Sequence, residues 1–540
     1  MTLPRLRRLS QTLFLGLFVV LLWKTELRRS FQAGEVEFRL PYPVRVFLET
    51  DPLVAIANAL ATRALYRGLL WSLAILIPTL FLGRFFCGWI CPLGTLNHLV
   101  GNLRSEKKSG QRRIASNRYK PWQAFKYYLL FALLVAAFLG GALVGIFDPI
   151  ALTVRSLALS ILPAWNYALK ALLGPGHGHS FLPAVLLSFK QAYFRQGFLL
   201  GVILIVILAL NLRITRFWCR AVCPLGALLG LASRWSILGL EKRPAHCEDC
   251  NRCLLHCQGG DDPIPGAPWR KAECHLCMNC VADCPESGIQ FRFFPAAPGS
   301  GAIEGADLKR RRVLAGLAAG AVSIPLLRAN TGLSAEPHER LIRPPAALDQ
   351  KQFLARCIRC GECMKVCPNN SLQPALAEGG LEGLWTPVLT PRIGYCEPSC
   401  VLCSEVCPTG AIWKLTPKEK GWVVGVGQGD AKAVRLGTAF YDRGRCLPWA
   451  MATDCIVCQE WCPVSPKAIY LQEAEIVDAD GNKKVVKQPH VDPSRCVGCG
   501  ACEYACPLQE HPAVYVTSIG ESRSVDSQIL LTRRKGKAQS

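Results

Sequence analysis

No cysteine in this 540-residue chain is left over: all 28 fall into seven groups of four. Other signatures are missing altogether. There is no Cys-x-x-Cys-His, so no covalently attached haem is implied. There is no Gly-x-Gly-x-x-Gly and no phosphate-binding loop, so nicotinamide and nucleotide chemistry have no support. Acidic residues are scarce, with 39 Asp and Glu against 62 Lys and Arg and a net charge of +23. A basic balance usually suggests nucleic acid. Here the excess lies beside apolar stretches, so a nucleic-acid partner is set aside and a lipid bilayer takes its place.

Six of the seven cysteine groups carry iron–sulfur spacing. Cys247, Cys250, Cys253 and Cys257 read C-x2-C-x2-C-x3-C. So do Cys274, Cys277, Cys280 and Cys284, then Cys357, Cys360, Cys363 and Cys367, then Cys496, Cys499, Cys502 and Cys506. Two groups stretch the first gap: Cys396, Cys400, Cys403, Cys407 and Cys446, Cys455, Cys458, Cys462. Five of the six end in Cys-Pro, whereas Cys257 is followed by Gln258. Three thiolates on a tight loop reach three corners of one cubane, and the fourth points to a neighbouring cluster. Disulfides suit a small secreted scaffold. Structural zinc prefers paired knuckles set well apart. Neither fits these runs, so six [4Fe–4S] clusters are expected. The spacing leaves a [3Fe–4S] centre at one motif open.

Four uncharged apolar stretches lie in the first 215 positions: Leu9–Trp23, Gly68–Gly83, Tyr127–Phe147 and Gln196–Leu212. Each approaches the roughly 20 residues of a transmembrane helix. The first lacks a small-residue cleavage site and reads as an anchor. Basic residues gather before the first stretch (Arg5, Arg7, Arg8), between the second and third (Arg104 to Lys120), and after the fourth (Arg213 to Arg243). The positive-inside rule puts these three regions in the cytoplasm and the segments 24–67 and 148–195 outside. The seventh cysteine group then falls on the inner side. It comprises Cys87 and Cys91 after the second stretch and Cys219 and Cys223 after the fourth, in a repeated C-x3-C-P-L-G. If helical, each pair lies on one face, and two pairs together could supply four thiolates to a further metal or thiol centre. The alternative is reduced thiols at helix ends, with Pro and Gly as stop signals.

Lys309-Arg310-Arg311-Arg312 precedes a small-residue apolar run, Val313–Leu327, and reads as a twin-arginine export signal or a fifth span. The expected fold is a membrane α-helical bundle of four spans, with a fifth possible, joined to α+β bacterial-ferredoxin-like modules. The units are a membrane domain (1–240), a two-cluster ferredoxin (241–293), a linker (294–345) and a four-cluster ferredoxin (346–540). Strands are expected at Gly410–Leu415 and Ala433–Tyr441, and a hairpin over Glu473–Lys487 turning at Asp480-Gly481.

The first 290 residues resemble the NapH family of membrane quinol dehydrogenase subunits, through the spans, the two C-x3-C-P motifs and the two-cluster tail. The remainder resembles the NapG and MauM ferredoxins. The matching residues there are Arg310-Arg311, Arg343-Pro344-Pro345, Phe353 to Cys360, Trp385-Thr386-Pro387 and Cys403 to Ile412. NosR and CcoG-type proteins share the membrane motif, but the flavin head of one and the immunoglobulin-like tail of the other have no counterpart here. The resemblance implies a bacterial inner-membrane protein that passes electrons from the quinone pool to a periplasmic cytochrome or molybdenum-type reductase. The first ferredoxin would be cytoplasmic and the second periplasmic. The alternative is a maturation or redox-sensing protein of MauM or CcoG type. In the front pair, Cys284 is expected to complete the Cys247 set and Cys257 the Cys274 set. By resemblance to four-cluster relatives, outer motifs pair with each other and inner with inner. Cys506 would then complete the Cys357 set, Cys367 the Cys496 set, Cys462 the Cys396 set and Cys407 the Cys446 set. Quinol-site candidates are Asp148, Arg155, His177 and His179, as proton acceptors or anchors near the membrane surface.

Overall fold

The computed structural model describes residues 3–26, 43–105, 110–173, 191–243, 246–247, 250–264, 269–294, 308–328, 339–376, 378–422, 433–477 and 481–523. His177, His179 and Asp480 lie outside the described residues.

Helices α1 (Leu3–Lys24), α2 (Pro52–Thr62), α3 (Leu73–Leu82), α4 (Pro92–Ser105) and α5 (Phe125–Phe138) open a helical bundle. It continues with α6 (Pro149–Ser156), α7 (Leu162–Leu173), α8 (Gly197–Leu210) and α9 (Pro224–Ala232). Two of these starts are fixed by the same device. Asp51 and Asp148 cap α2 and α6 through their carboxylates, and Pro occupies the first turn of each.

Among the described residues, two helical runs are long and apolar enough to cross a membrane, Leu3–Lys24 and Gly110–Phe138. Arg67–Leu82 and Gly197–Leu210 are apolar but shorter. Four full-length spans are therefore not what the helix lengths give. The third apolar stretch breaks because Gly140 is left-handed (φ 86°), and Val144–Phe147 forms a separate turn. The segments read as outer loops also contain helices. α2 packs on α5, and α6 packs on α8.

The first ferredoxin is closed by an antiparallel pair, β1 (Leu238–Lys242) and β2 (Ile289–Phe293), in register Leu238↔Phe293. β1 thus spans the expected boundary at 241. α10 (Arg310–Arg328) then runs along α5 in the same direction. Gly316 faces Tyr128, Gly320 faces Ala132 and Val135, and Ile324 reaches Gly141. These glycines are four apart, the spacing that lets two apolar helices touch backbone to backbone. Arg328 closes the far end with a two-pronged ion pair to Glu382, at 2.7 and 2.8 Å.

The second ferredoxin holds three small antiparallel sheets. These are β3 (Leu372–Pro374) with β4 (Pro387–Leu389), β5 (Thr438–Tyr441) with β8 (Val514–Thr517), and the hairpin β6 (Ile469–Val477) with β7 (Lys483–Val491). The hairpin falls where the sequence suggests it. Gly410–Leu415 does not form a strand; only Ile412 makes an isolated bridge, to Ala347. One apolar core runs from the bundle into this ferredoxin, whereas the first ferredoxin has small cores of its own.

Candidate metal centres

The two ferredoxins dock at opposite ends of the bundle. The first meets the ends of α3, α5 and α9. There Trp89 Nε1 donates to the Leu276 carbonyl (3.0 Å) and Arg84 to the Ala272 carbonyl (2.7 Å). Glu273 accepts from Lys126 and from Tyr127 Oη (2.8 Å), all buried. The second meets the far end of α5. Ala142 N donates to the Leu354 carbonyl (3.2 Å), Lys365 to the Thr25 carbonyl (3.0 Å), and Arg155 to the Arg359 carbonyl (3.0 Å).

Within the first ferredoxin, Cys247, Cys250, Cys253 and Cys284 line one hollow. Cys274, Cys277 and Cys280 gather with Cys257. Each fourth cysteine thus crosses to the neighbouring motif. In the second ferredoxin the crossing is different from the expected one. Cys407 joins Cys357, Cys360 and Cys363, and Cys367 joins Cys396, Cys400 and Cys403. Cys506 joins Cys446, Cys455 and Cys458, and Cys462 joins Cys496, Cys499 and Cys502. First pairs with second and third with fourth, so the outer-with-outer arrangement is overturned. The reason is packing: the short helices within the first two motifs, which carry Cys363 and Cys403, lie against each other, and so do those of the last two, which carry Cys458 and Cys502.

The sets also form a row. Cys363 neighbours Cys403, Cys499 neighbours Cys396, and Cys502 neighbours Cys458. A backbone bond from Cys396 N to the Cys499 carbonyl (2.8 Å) ties the two halves. The order is therefore the Cys357, Cys396, Cys496 and Cys446 sets. Arg155 stands beside Cys357 and Cys360 at the bundle end, and the Cys446 set lines a hollow at the other end.

The seventh group converges as well. Cys87, Cys91, Cys219 and Cys223 are buried, unbridged and mutual neighbours. The expected helix face is not how this happens. Cys87 and Cys219 sit in one-turn helices, Phe85–Trp89 and Phe217–Ala221. Cys91 and Cys223 stand just before α4 and α9, whose Pro92 and Pro224 start helices rather than stop them. Gly94 N and Gly226 N donate to the Cys91 and Cys223 sulfurs, at 3.4 and 3.2 Å. Asn97 Nδ2 lies 3.5 Å from the Cys219 sulfur.

Two arginines here escape motif reading. Arg84 and Arg216 are fully buried, and each stands three residues before the first cysteine of its motif. Each crosses to the other motif: Arg216 Nη1 donates to the Cys87 carbonyl (2.7 Å), and Arg84 stands by Cys223 and Gly226. The repeat in fact reads R-F-[FW]-C-x3-C-P-L-G, and the repeated arginine is the signal that would have found them. Nε and Nη2 of both lack partners. Unpaired buried guanidinium N–H groups are costly; four thiolates on an anionic centre would answer them.

Burial pushes the ferredoxin thiols up, Cys253 to about 11 and Cys400 and Cys446 to about 12. Bare, they stay protonated at neutral pH; metal binding is what would deprotonate them. Among the described residues, no three His, Cys, Asp or Glu side chains converge on a point where one ion could bind all three. Thiolates on a cubane sit on separate irons and need no such convergence.

The comparisons agree. A 4Fe-4S binding domain matches residues 64–110 and 196–242, the two stretches that carry the seventh group. A 4Fe-4S dicluster domain matches 452–509, and a further 4Fe-4S binding domain matches 353–373. The methylamine utilization ferredoxin-type protein MauM of Paracoccus denitrificans is 37% identical over 183 residues, 33% of this chain and 71% of MauM. The chain belongs to the MauM/NapG ferredoxin-type family. The ferredoxin-type protein NapG of Escherichia coli is 32% identical over 178 residues, 32% of this chain and 69% of NapG. No solved structure matches. Iron–sulfur electron transfer is thus the chemistry of this MauM/NapG-type chain.

The quinol-site candidates fare differently. Asp148 caps α6 through Oδ2 and faces Asp51, a buried carboxyl absent from the expected set. Arg155 holds the carbonyls of Gly145, Ile146 and Arg359. Only Arg155 reaches the second ferredoxin, and its Nε is buried without a partner, as are Asp148 Oδ1 and Asp51 Oδ2 apart from the facing carboxyl.

Proposed function

We propose that this protein is a bacterial inner-membrane electron relay that draws on quinol and delivers to a soluble periplasmic acceptor. The observation that carries this is the placement of two ferredoxins at opposite ends of one apolar bundle, with α10 leading from the first to the second. Between the basic residues at the ends of α1, and along α8, the exposed side chains are mostly apolar, among them Leu9, Leu13, Phe198, Ile205 and Val206, as a lipid-facing surface requires. Lys309 to Arg312 hold the near end of α10 on the cytoplasmic side. α10 has 19 residues, and at 1.5 Å each it spans about 28 Å, close to the hydrocarbon thickness.

When bound, the cubanes accept and pass single electrons. The chain's own part is to fix their order. The Cys274 set lies beside the seventh group, because His275 and Leu276 touch Gly88 and Trp89. The Cys357 set lies against the far end of the bundle. The Cys446 set ends the row, where Cys455 is partly exposed and an acceptor can approach. The seventh group is read as a seventh cubane.

Anaerobically purified protein should therefore carry about 28 iron atoms, four for each of seven cubanes. Cys219→Ser should lower this to about 24. In proteoliposomes, quinol should bleach the cluster absorbance of the wild type. Dithionite bleaching without any response to quinol would remove the quinol reading and favour a maturation role.

A further inference from the structure

Between α1, α4 and the first ferredoxin lies a cavity of about 260 Å³. Arg7, Arg8, His98, Asn102, Cys257 and Gln258 line it. Three observations single it out. Arg7 is fully buried, and apart from the neighbouring Cys277 sulfur its three guanidinium nitrogens have no hydrogen-bond partner. Gln258 is buried with its Oε1 unpartnered, while its Nε2 lies 3.3 Å from His98 Nδ1. Gln258 also stands where five of the six motifs have proline. Proline after the fourth cysteine has no polar side chain; here the chain gives up that proline for an amide that reaches the cavity wall. Buried polar groups without partners need an explanation, and a ligand with two oxygens supplies one.

The walls narrow the ligand. Cys257 belongs to the Cys274 set, so whatever binds here touches a ligand of an electron-accepting centre. The outer sides of α1 and α4 beside the cavity carry exposed Leu3, Leu6, Leu99 and Leu103, on which an apolar tail can lie. We propose that this cavity binds the head group of a quinol, with Arg7 and the His98–Gln258 pair holding its two ring oxygens. This rests on the relay reading above. The reaction is quinol to quinone with loss of two electrons and two protons. The electrons go one at a time to the iron–sulfur centres, and the protons pass to water on the cavity's open side. No bond forms to the protein.

The test uses full-length protein in detergent and in proteoliposomes. An azido-naphthoquinone photolabel should mark residues within 4–8, 98–102 or 255–258, and menadiol should compete it away. Arg7→Gln and Gln258→Pro should each weaken labelling. They should raise the KM for menadiol by about tenfold or more, the loss expected for a charge-assisted hydrogen bond or a buried polar contact. Iron content and dithionite reduction serve as the folding control. His98→Leu provides a third variant if Arg7→Gln loses iron. Label at Asp51, Asp148 or Arg155 would overturn the assignment, as would unchanged labelling and KM in iron-replete variants. A phospholipid phosphate that menadiol does not displace would also overturn it. Correct labelling without quinol-dependent bleaching in the wild type would uphold the site and sink the relay.

Discussion

At the scale of single residues, the cysteine positions were legible, and so were the crossed partners in the first ferredoxin, but not those in the second. Spacing along a loop is a local property, so the three leading thiols of each set could be named at once. The fourth thiol depends on which loop packs against which, and analogy with four-cluster relatives chose wrongly. The corrected pairing makes a sharp prediction. Cys407→Ser should convert or destroy the centre held by Cys357, Cys360 and Cys363 and leave the Cys446 centre intact. EPR spectra assigned against variants lacking Cys360 or Cys458 will show which signal changes. Glu273 makes a second case. It answers both Lys126 and Arg84 (3.8 Å) in a buried junction. Glu273→Gln leaves two buried cations short of their anion, and a loss of about 3–5 kcal/mol is expected. Thermal unfolding should register it, with the first ferredoxin released before the bundle melts.

At the scale of elements, the apolar stretches did mark helices, but not their ends. Gly140 interrupts a run whose composition alone looks continuous, and the second stretch opens as a 3-10 turn over Arg67–Ser72 before α3 begins. α2 and α6 were missed because their capping Asp-Pro pairs lie in segments read only for charge. At each junction a glycine lets backbone meet backbone. A methyl group at Gly88 would strike the His275 carbonyl, and one at Gly145 the Ile358 carbonyl. Both obstacles are backbone and cannot step aside. Gly145→Ala should loosen the second ferredoxin by about 1–3 kcal/mol and spare the first; Gly88→Ala should do the reverse. Hydrogen exchange at 353–361 and 272–277 reads the two junctions separately. Equal effects of both variants on both regions would mean that the bundle itself had been disturbed.

At the scale of the molecule, charge order suggests ferredoxins on opposite sides of a bilayer; the structure sets them at opposite ends of the bundle, and the bilayer itself belongs to the proposal. Lys309–Arg312 before a short apolar run suggested a crossing, although composition alone made that run a weak candidate. What composition could not show is the glycine face that fits α10 to α5. A protease added to intact spheroplasts should cut within 346–540 and spare 241–293. Protection of both regions would place both ferredoxins inside and remove the periplasmic acceptor.

The pairing of neighbouring motifs has a consequence for how the protein is made. Residues 357–407 contain every thiol of two centres, and residues 446–506 every thiol of two more. Each half closes loops of a few dozen residues, where the nested arrangement would have had to wait for a partner about 150 residues downstream. The low contact order lets the first half fold before the second is synthesised. A nascent chain stopped after residue 422 should thus already be able to hold its metal, and the second half can be added to a finished platform.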